Sequence, residues 1–309
     1  MEILRVSSEQ YAGQFEQFAP HIYNTVAFSE HNREKSETLH HLVFSDGSPR
    51  LGIIAGEKEG ELRSPFSAPF GGFSSRGRQS IEHIAEAVRL LSGYAKSHGL
   101  RTRVTLPPAL YAPSFIAHQA AALSLEATKT TIDTNHHRTL DFEPGNPESG
   151  FSPKGRNTLK SAMRQGLTLH LLDSSDPSQI MRAYEIIRRN HAELGHPLRM
   201  TFDEVVATAP ITGSRFMTVA RNGVEIAAAM VNATTPDVAQ VIYWGDTAEG
   251  RRFHPMNFLA AALMENCRQS GIGIIDIGPS SENGIPATGL CRFKESIGCT
   301  ATTKISFIL

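Results

Sequence analysis

The sequence predicts an α/β protein, α+β in layout, in which a mixed sheet flanked by helices is built twice in tandem. Three observations predict it. The chain has 309 residues, enough for two cores, since one core serves ~100–200 residues. The order strand, hairpin, strand, long helix, strand, short helix, strand occurs once in each half. Between the halves lies Glu143–Gly150 (EPGNPESG), a Pro/Gly-rich stretch that suits a seam. The expected domains are residues 1–148 and 149–309. Two α+β halves that resemble each other only by chance are the alternative.

In the first half, three strands are expected at His41–Ser45, Leu51–Glu57 and Glu61–Pro65, with Gly60 turning between the last two. Gly71 and Gly72 then lead into a helix over Arg78–His98. Ile81, Ile84, Val88, Leu91 and Ala95 recur there at helical spacing, and Gly99 stands where a left-handed C-cap belongs. A strand over Thr102–Leu106 is stopped by Pro107 and Pro108.

In the second half, Ser214–Ala220 and Val224–Ala233 read as strands joined at Asn222-Gly223, a strong hairpin signal. Val238–Trp244 follows the turn Thr235-Pro236-Asp237. A loop carrying Gly250, Arg251 and Arg252 opens a helix with Pro255 in its first turn. That helix offers Met256, Leu259, Ala260, Leu263 and Cys267 to a core and stops at Gly271. A strand over Ile274–Ile277, a short helix over Gly289–Ile297 and a strand over Thr303–Ile308 complete the order. Separately, Ser152–Gln165 (SPKGRNTLKSAMRQ) puts Lys154, Arg156, Lys160 and Arg164 on one short helix. It is either a solvated face or a phosphate-holding patch.

Composition narrows the function. Apolar residues are 40% and charged residues 20%, which is the balance of a packed globular chain. A net charge of −1 gives no overall attraction to nucleic acid or anionic lipid, so a polyanion would need a local basic patch. The three cysteines, Cys267, Cys291 and Cys299, are odd in number and form no CxxC pair. That argues against a zinc site or disulfide framework and for a reducing compartment. The start MEILRVSSEQ lacks the basic-then-apolar layout of a signal peptide. No apolar run approaches the ~20 residues of a membrane span. The expectation is a cytoplasmic protein with no membrane insertion. The motifs GxxxxGKS/T, HExxH, GxSxG and a strand-borne GxGxxG are all absent. The pairs His40-His41 and His136-His137 would point to opposite sides of a strand, so no metal is expected.

The segment IIDIGPSSENGIPATGLCRFKESIGC carries the strongest functional pattern. A buried strand delivers Asp276 and then the polar loop Ser280, Ser281, Glu282 and Asn283. Gly289-Leu290 enters a helix with Arg292, Phe293 and Lys294. Loops at the carboxyl ends of strands are where α/β ligand sites form, and helix N-termini receive oxyanions or phosphates. In VIYWGD, alternation sets Tyr243 on one face and Trp244 with Asp246 on the other. Asp246 or Glu249 is the candidate to accept a proton from an attacking amine. Tyr243 and Trp244 are either part of that site or a packed aromatic pair.

The strand–DxG–loop–GL–xx–FK–xxx–G pattern (Asp276, Gly278, Gly289, Leu290, Phe293, Lys294, Gly298) resembles the C-terminal signature of the FemABX-like branch of the GNAT (N-acyltransferase) superfamily. The helix with Arg156, Asn157, Lys160 and Gly166 is similar to the one opening the second GNAT domain in that branch. The resemblance implies two tandem GNAT-like domains and transfer of an acyl or aminoacyl group to an amine. The implied co-substrate is an acyl donor, aminoacyl-tRNA or acyl-CoA, with no tightly bound cofactor. The acceptor it implies is amine-bearing and possibly phosphate-linked. It gives Lys294 the position that faces phosphate or developing negative charge, with Asp246 and Tyr243 as the other candidates for chemistry. Arg156, Lys160, Ser280, Ser281 and Asn283 are the substrate-binding candidates, and Arg251 and Arg252 those for the donor. Arg251-Arg252-Phe253-His254-Pro255 has the position of the acyl-CoA pyrophosphate loop but not its glycines. SPFSAPFGGF resembles a loop of bacterial tandem-GNAT proteins, and Phe66, Phe70 and Phe73 either line an acceptor groove between the domains or close a core. Two other readings stay open: an acyl-CoA-dependent N-acetyltransferase, and a non-catalytic binding protein on the same fold.

Overall fold

The computed structural model describes residues 1–309, which fall into two compact units. Unit 1 comprises Met1–Asn135, Ser281–Pro286 and Thr302–Leu309; unit 2 comprises His136–Ser280 and Ala287–Ala301.

Unit 1 begins with β1 (Glu2–Val6) and α1 (Ser8–Phe15). A capping box starts α1, with Ser7 and Gln10 satisfying each other's backbone N–H groups. After α2 (Val26–His31) come β2 (Thr38–Ser45), β3 (Pro49–Lys58), β4 (Glu61–Ser64) and the short β5 (Phe73–Ser75). Then follow α3 (Ile81–Ser97), β6 (Arg101–Thr105), α4 (Pro113–Glu126) and β7 (Lys129–Thr139). The expected long helix is α3, whose Ile84, Val88, Leu91 and Ala95 are buried against Leu42, Ile53, Leu62 and Val104 of the sheet. Ser80 caps it by accepting from the His83 N–H. Strand pairing runs antiparallel from β1 through β4, and β4 lies parallel to β6 across the α3 crossover.

Unit 2 takes the last residues of β7, then α5 (Pro153–Met163), β8 (Leu167–Leu172), α6 (Pro177–Leu194) and α7 (Phe202–Thr212). The hairpin β9 (Arg215–Arg221) and β10 (Val224–Ala233) turns at Asn222-Gly223, both at positive φ as such a turn needs. Next are β11 (Val238–Asp246), α8 (Pro255–Gln269) and β12 (Ile274–Pro279). The two-stranded β13 (Ser281–Glu282) and β14 (Ile285–Pro286) precede α9 (Thr288–Ser296) and β15 (Thr300–Ile308). Strands β8 to β11 pair antiparallel in order, and β11 lies parallel to β12 across the α8 crossover. One core packs α8, through Leu259, Ala260, Leu263 and Cys267, on one face of this sheet. Another packs α6 and α7 on Phe216, Ala228 and Met230 of the other face.

The two units thus share the run hairpin–strand–helix–parallel strand: β2-β3-β4-α3-β6 in one and β9-β10-β11-α8-β12 in the other. They differ at the end of the parallel pair. In unit 1 the rungs continue to Ser64↔Val104, the last residue of β4. In unit 2 they stop at Gln240↔Asp276, six residues before β11 ends.

Candidate active site

The unpaired ends of β11 and β12 define the site. Beyond Gln240, β11 stays bonded to β10 as far as Asp246, but no rung to β12 follows. The register shift after Met230↔Tyr243 leaves Ile242 as an extra residue in β11, and a bulge of this kind bends a strand and increases its twist. Tyr243 packs into the core under α6, while Trp244 packs into the core on the α8 side. At the last rung the Gln240 side chain donates to Asp276 Oδ2 at 3.0 Å, and Asp276 Oδ1 accepts the Gly278 N–H at 2.9 Å.

Asp246 ends β11 and is 8% exposed. The Asn190 amide of α6 donates to its backbone oxygen at 2.7 Å. Gly245 makes that approach possible: a Cβ there would meet the Asn190 amide carbon at 2.5 Å. The Arg251 guanidinium lies 3.1 Å from Asp246 Oδ1 and 3.6 Å from Glu193. Burial raises the Asp246 pKa above the usual aspartate value, and Arg251 offsets part of the rise. A buried carboxylate with a raised pKa is suited to take up a proton. Two residues past the Arg251–Phe253 turn, α8 starts at Pro255 with no side-chain cap. Its first N–H groups have no partner within the helix, and such an end attracts anions.

Lys294 is buried, at 2% exposure. Its ammonium donates to three successive carbonyls, Ile277 at 2.9 Å, Gly278 at 2.8 Å and Pro279 at 2.9 Å. Three donors meet three acceptors, which suits the charged form; burial pulls its pKa down to about 8, leaving the ammonium charged at neutral pH. The side chain spends its hydrogen bonds on the protein itself. Phe293, its neighbour on α9, meets Trp244 of β11 edge-on at 5.7 Å between ring centroids.

Residues 153–295 match the family model of the acetyltransferase (GNAT) domain. That stretch is a GNAT domain. In fold, the whole chain resembles FemX and a tandem GNAT protein. It superposes on FemX with a TM-score of 0.69 at 11% identity, covering 100% of this chain and 98% of that one. A chain described as the C-terminal domain of a lysylphosphatidylglycerol synthetase from Agrobacterium fabrum gives 0.62 at 14% identity, covering 98% and 92%. The tandem GNAT protein of the clavulanic acid biosynthesis pathway gives 0.55 at 13%, covering 99% and 98%. No curated protein sequence matches significantly.

Within the GNAT domain the other sequence candidates disperse. Arg251 is held by carboxylates, while Arg252 lies over the Phe253 ring at 4.7 Å. Glu249 is exposed beside them. Tyr243 is half-buried, its ring 5.5 Å from that of His191, so the aromatic pair is split between two cores and is not packed on itself. On α5, Arg156 folds back to donate to the Phe151 carbonyl at 2.5 Å, whereas Lys154, Lys160 and Arg164 are exposed. Ser280 is buried, bonded to His136 Nδ1 at 2.9 Å.

Ser281 and Asn283 belong to unit 1. Ser281 donates to Asp133 at 2.7 Å, and Asn283 makes the turn of β13-β14 at φ 53°. Phe70 and Phe73 are 1% and 0% exposed, and this corrects the groove reading. Phe73 is core under α3, and Phe70 packs among His21, Tyr23 and Tyr111. The aromatic spacing that suggests a groove equally suits a core, and apolar burial decides it. Sequence reasoning missed Asn190 and Gly245, whose meeting depends on α6 lying against β11. No helix is long and apolar enough to cross a membrane.

Proposed function

We propose that the GNAT domain transfers an acyl or aminoacyl group from a donor lodged along the unpaired ends of β11 and β12 to an amine. The observation that carries the reading is the early end of the β11–β12 ladder, with Asp246 at its lip and an uncapped α8 beside it. The equivalent place in unit 1 is closed by full pairing, and α3 is capped by Ser80. A donor's phosphates would sit at the α8 N-terminus with Arg252 at hand, and its acyl chain would run between the strands. The amine nitrogen attacks the acyl carbonyl, and Asp246 takes the proton the nitrogen loses. The bond from carbonyl carbon to the departing oxygen or sulfur then breaks, and the leaving group recovers a proton.

Two donors fit this chemistry. The open α8 end supports a coenzyme A thioester, and the exposed cations of α5 support an aminoacyl-tRNA ester, as do neighbours named for FemX and lysylphosphatidylglycerol synthesis. Calorimetric titration with acetyl-CoA and with lysyl-tRNA, followed by transfer assays on a panel of amines, tests it. Binding of one donor and transfer from it are expected. A protein that binds neither overturns the reading for these two donors, and one that binds without transferring favours the non-catalytic reading.

A further inference from the structure

We infer that Lys294 is a positioning residue: it holds the exit of β12 turned away from β11 and so keeps the donor cleft open. In a regular strand successive carbonyls point in opposite directions, so three in a row cannot reach one atom. Here Ile277, Gly278 and Pro279 do reach one Nζ. Gly278 makes this possible at φ +78°, a conformation that side-chain-bearing residues rarely adopt. On the amide side, Asp276 takes the Gly278 N–H. Carbonyls available to extend the β11 ladder past Gln240↔Asp276 are thereby engaged elsewhere.

The same helix holds the other strand. Phe293 touches Trp244 of β11 while Lys294 grips β12, so α9 straddles the two strands beyond their last rung. A buried ammonium is costly unless fully bonded, and a simple apolar residue would stabilise α9 at less cost. The lysine is explained by the three carbonyls it must hold. The inference deepens the proposed function, since it rests on reading this opening as the donor's place.

The test is hydrogen exchange, residue by residue, in β11. Freed carbonyls should swing back to pair with β11. In Lys294→Met, the amides among Val241–Asp246 that point away from β10 should exchange at least about tenfold more slowly. Should Lys294→Met fail to fold, Gly278→Ala tests the same cage with the lysine intact. An added Cβ there has open space, its nearest contact being the Val241 oxygen at 3.9 Å, and only the positive φ resists it. The inference is overturned if β11 exchange is unchanged in the folded variants, or if faster exchange is confined to residues 277–281. A separate arm measures acetyl-CoA and lysyl-tRNA. Weaker donor binding and a raised KM with a smaller change in kcat support the inference. If wild type binds neither donor while β11 still closes, the donor reading fails and the role of Lys294 stands.

Discussion

Asp246 is the residue whose environment and proposed chemistry agree most closely. Its carboxyl pKa is raised by burial, so the folded state favours the protonated form. The linkage sign follows: its favourable contribution to stability is present below the unfolded value and is lost as pH rises through the folded one. Asp246→Asn should therefore leave the thermal melt unchanged or raise it, while transfer falls ~10²–10⁴-fold. Wild-type turnover should drop toward low pH with a midpoint above that of an ordinary aspartate. A variant that keeps full activity would remove Asp246 as the base. The sequence placed this carboxylate at a strand end correctly, because period-two alternation and a terminal aspartate are local signals. It could not show that Lys294 is buried, since a lysine in a short amphipathic helix reads as exposed. Its burial depends on a three-dimensional turn at Gly278, sixteen residues away.

At the scale of elements, legibility follows how local the cause is. The strands β9, β10 and β11 and the helices α3 and α8 carry hairpin turns, caps and apolar periodicity within their own residues, and they stand close to their expected bounds. Helix α6 was not expected, although Asp176, Pro177 and the left-handed Gly195 mark its two ends. Its apolar residues Ile180, Ala183, Ile186 and Ile187 recur at helical spacing while Arg182, Arg188 and Arg189 lie off that face, so this signal too was local, and packing on β10 and β11 buries it. For α5 the structure sharpens the phosphate proposal, because Arg156 is occupied with Phe151 while Lys154 and Lys160 are exposed. If α5 holds tRNA, Lys154→Gln and Lys160→Gln should each flatten log K against log salt by about 0.7–0.9. An unchanged slope leaves α5 a solvated face.

For the whole molecule, the tandem fold was legible because the same element order recurs, whereas the compact units part between Asn135 and His136 and unit 1 includes two C-terminal segments, which a single linear seam does not express. What the order could not reveal is how many histidines the two cores enclose. His21, His40 and His41 in unit 1 and His136, His137 and His191 in unit 2 all have pKa values lowered by burial. His21 is the extreme case. It is 3% exposed, and Phe70 and Tyr23 meet it edge-on or tilted at 4.8 and 5.8 Å. Desolvation carries its pKa to about 3, although the Gly71 backbone opposes part of the shift. The unfolded chain takes up a proton near pH 6.5 and the folded one does not until about 3. Stability from this residue is thus complete above 6.5 and drains away as pH falls between those values, by about 1.4 kcal/mol per pH unit. Phenylalanine fits the same aromatic surroundings and cannot be protonated. Urea unfolding of His21→Phe at pH 7.0, 5.5 and 4.5, followed by a unit 1 probe, should show stability at pH 7 retained and the acid slope reduced by that amount. An acid slope equal to wild type would mean that His21 is already protonated in the folded protein, or that unit 1 opens around it before it titrates.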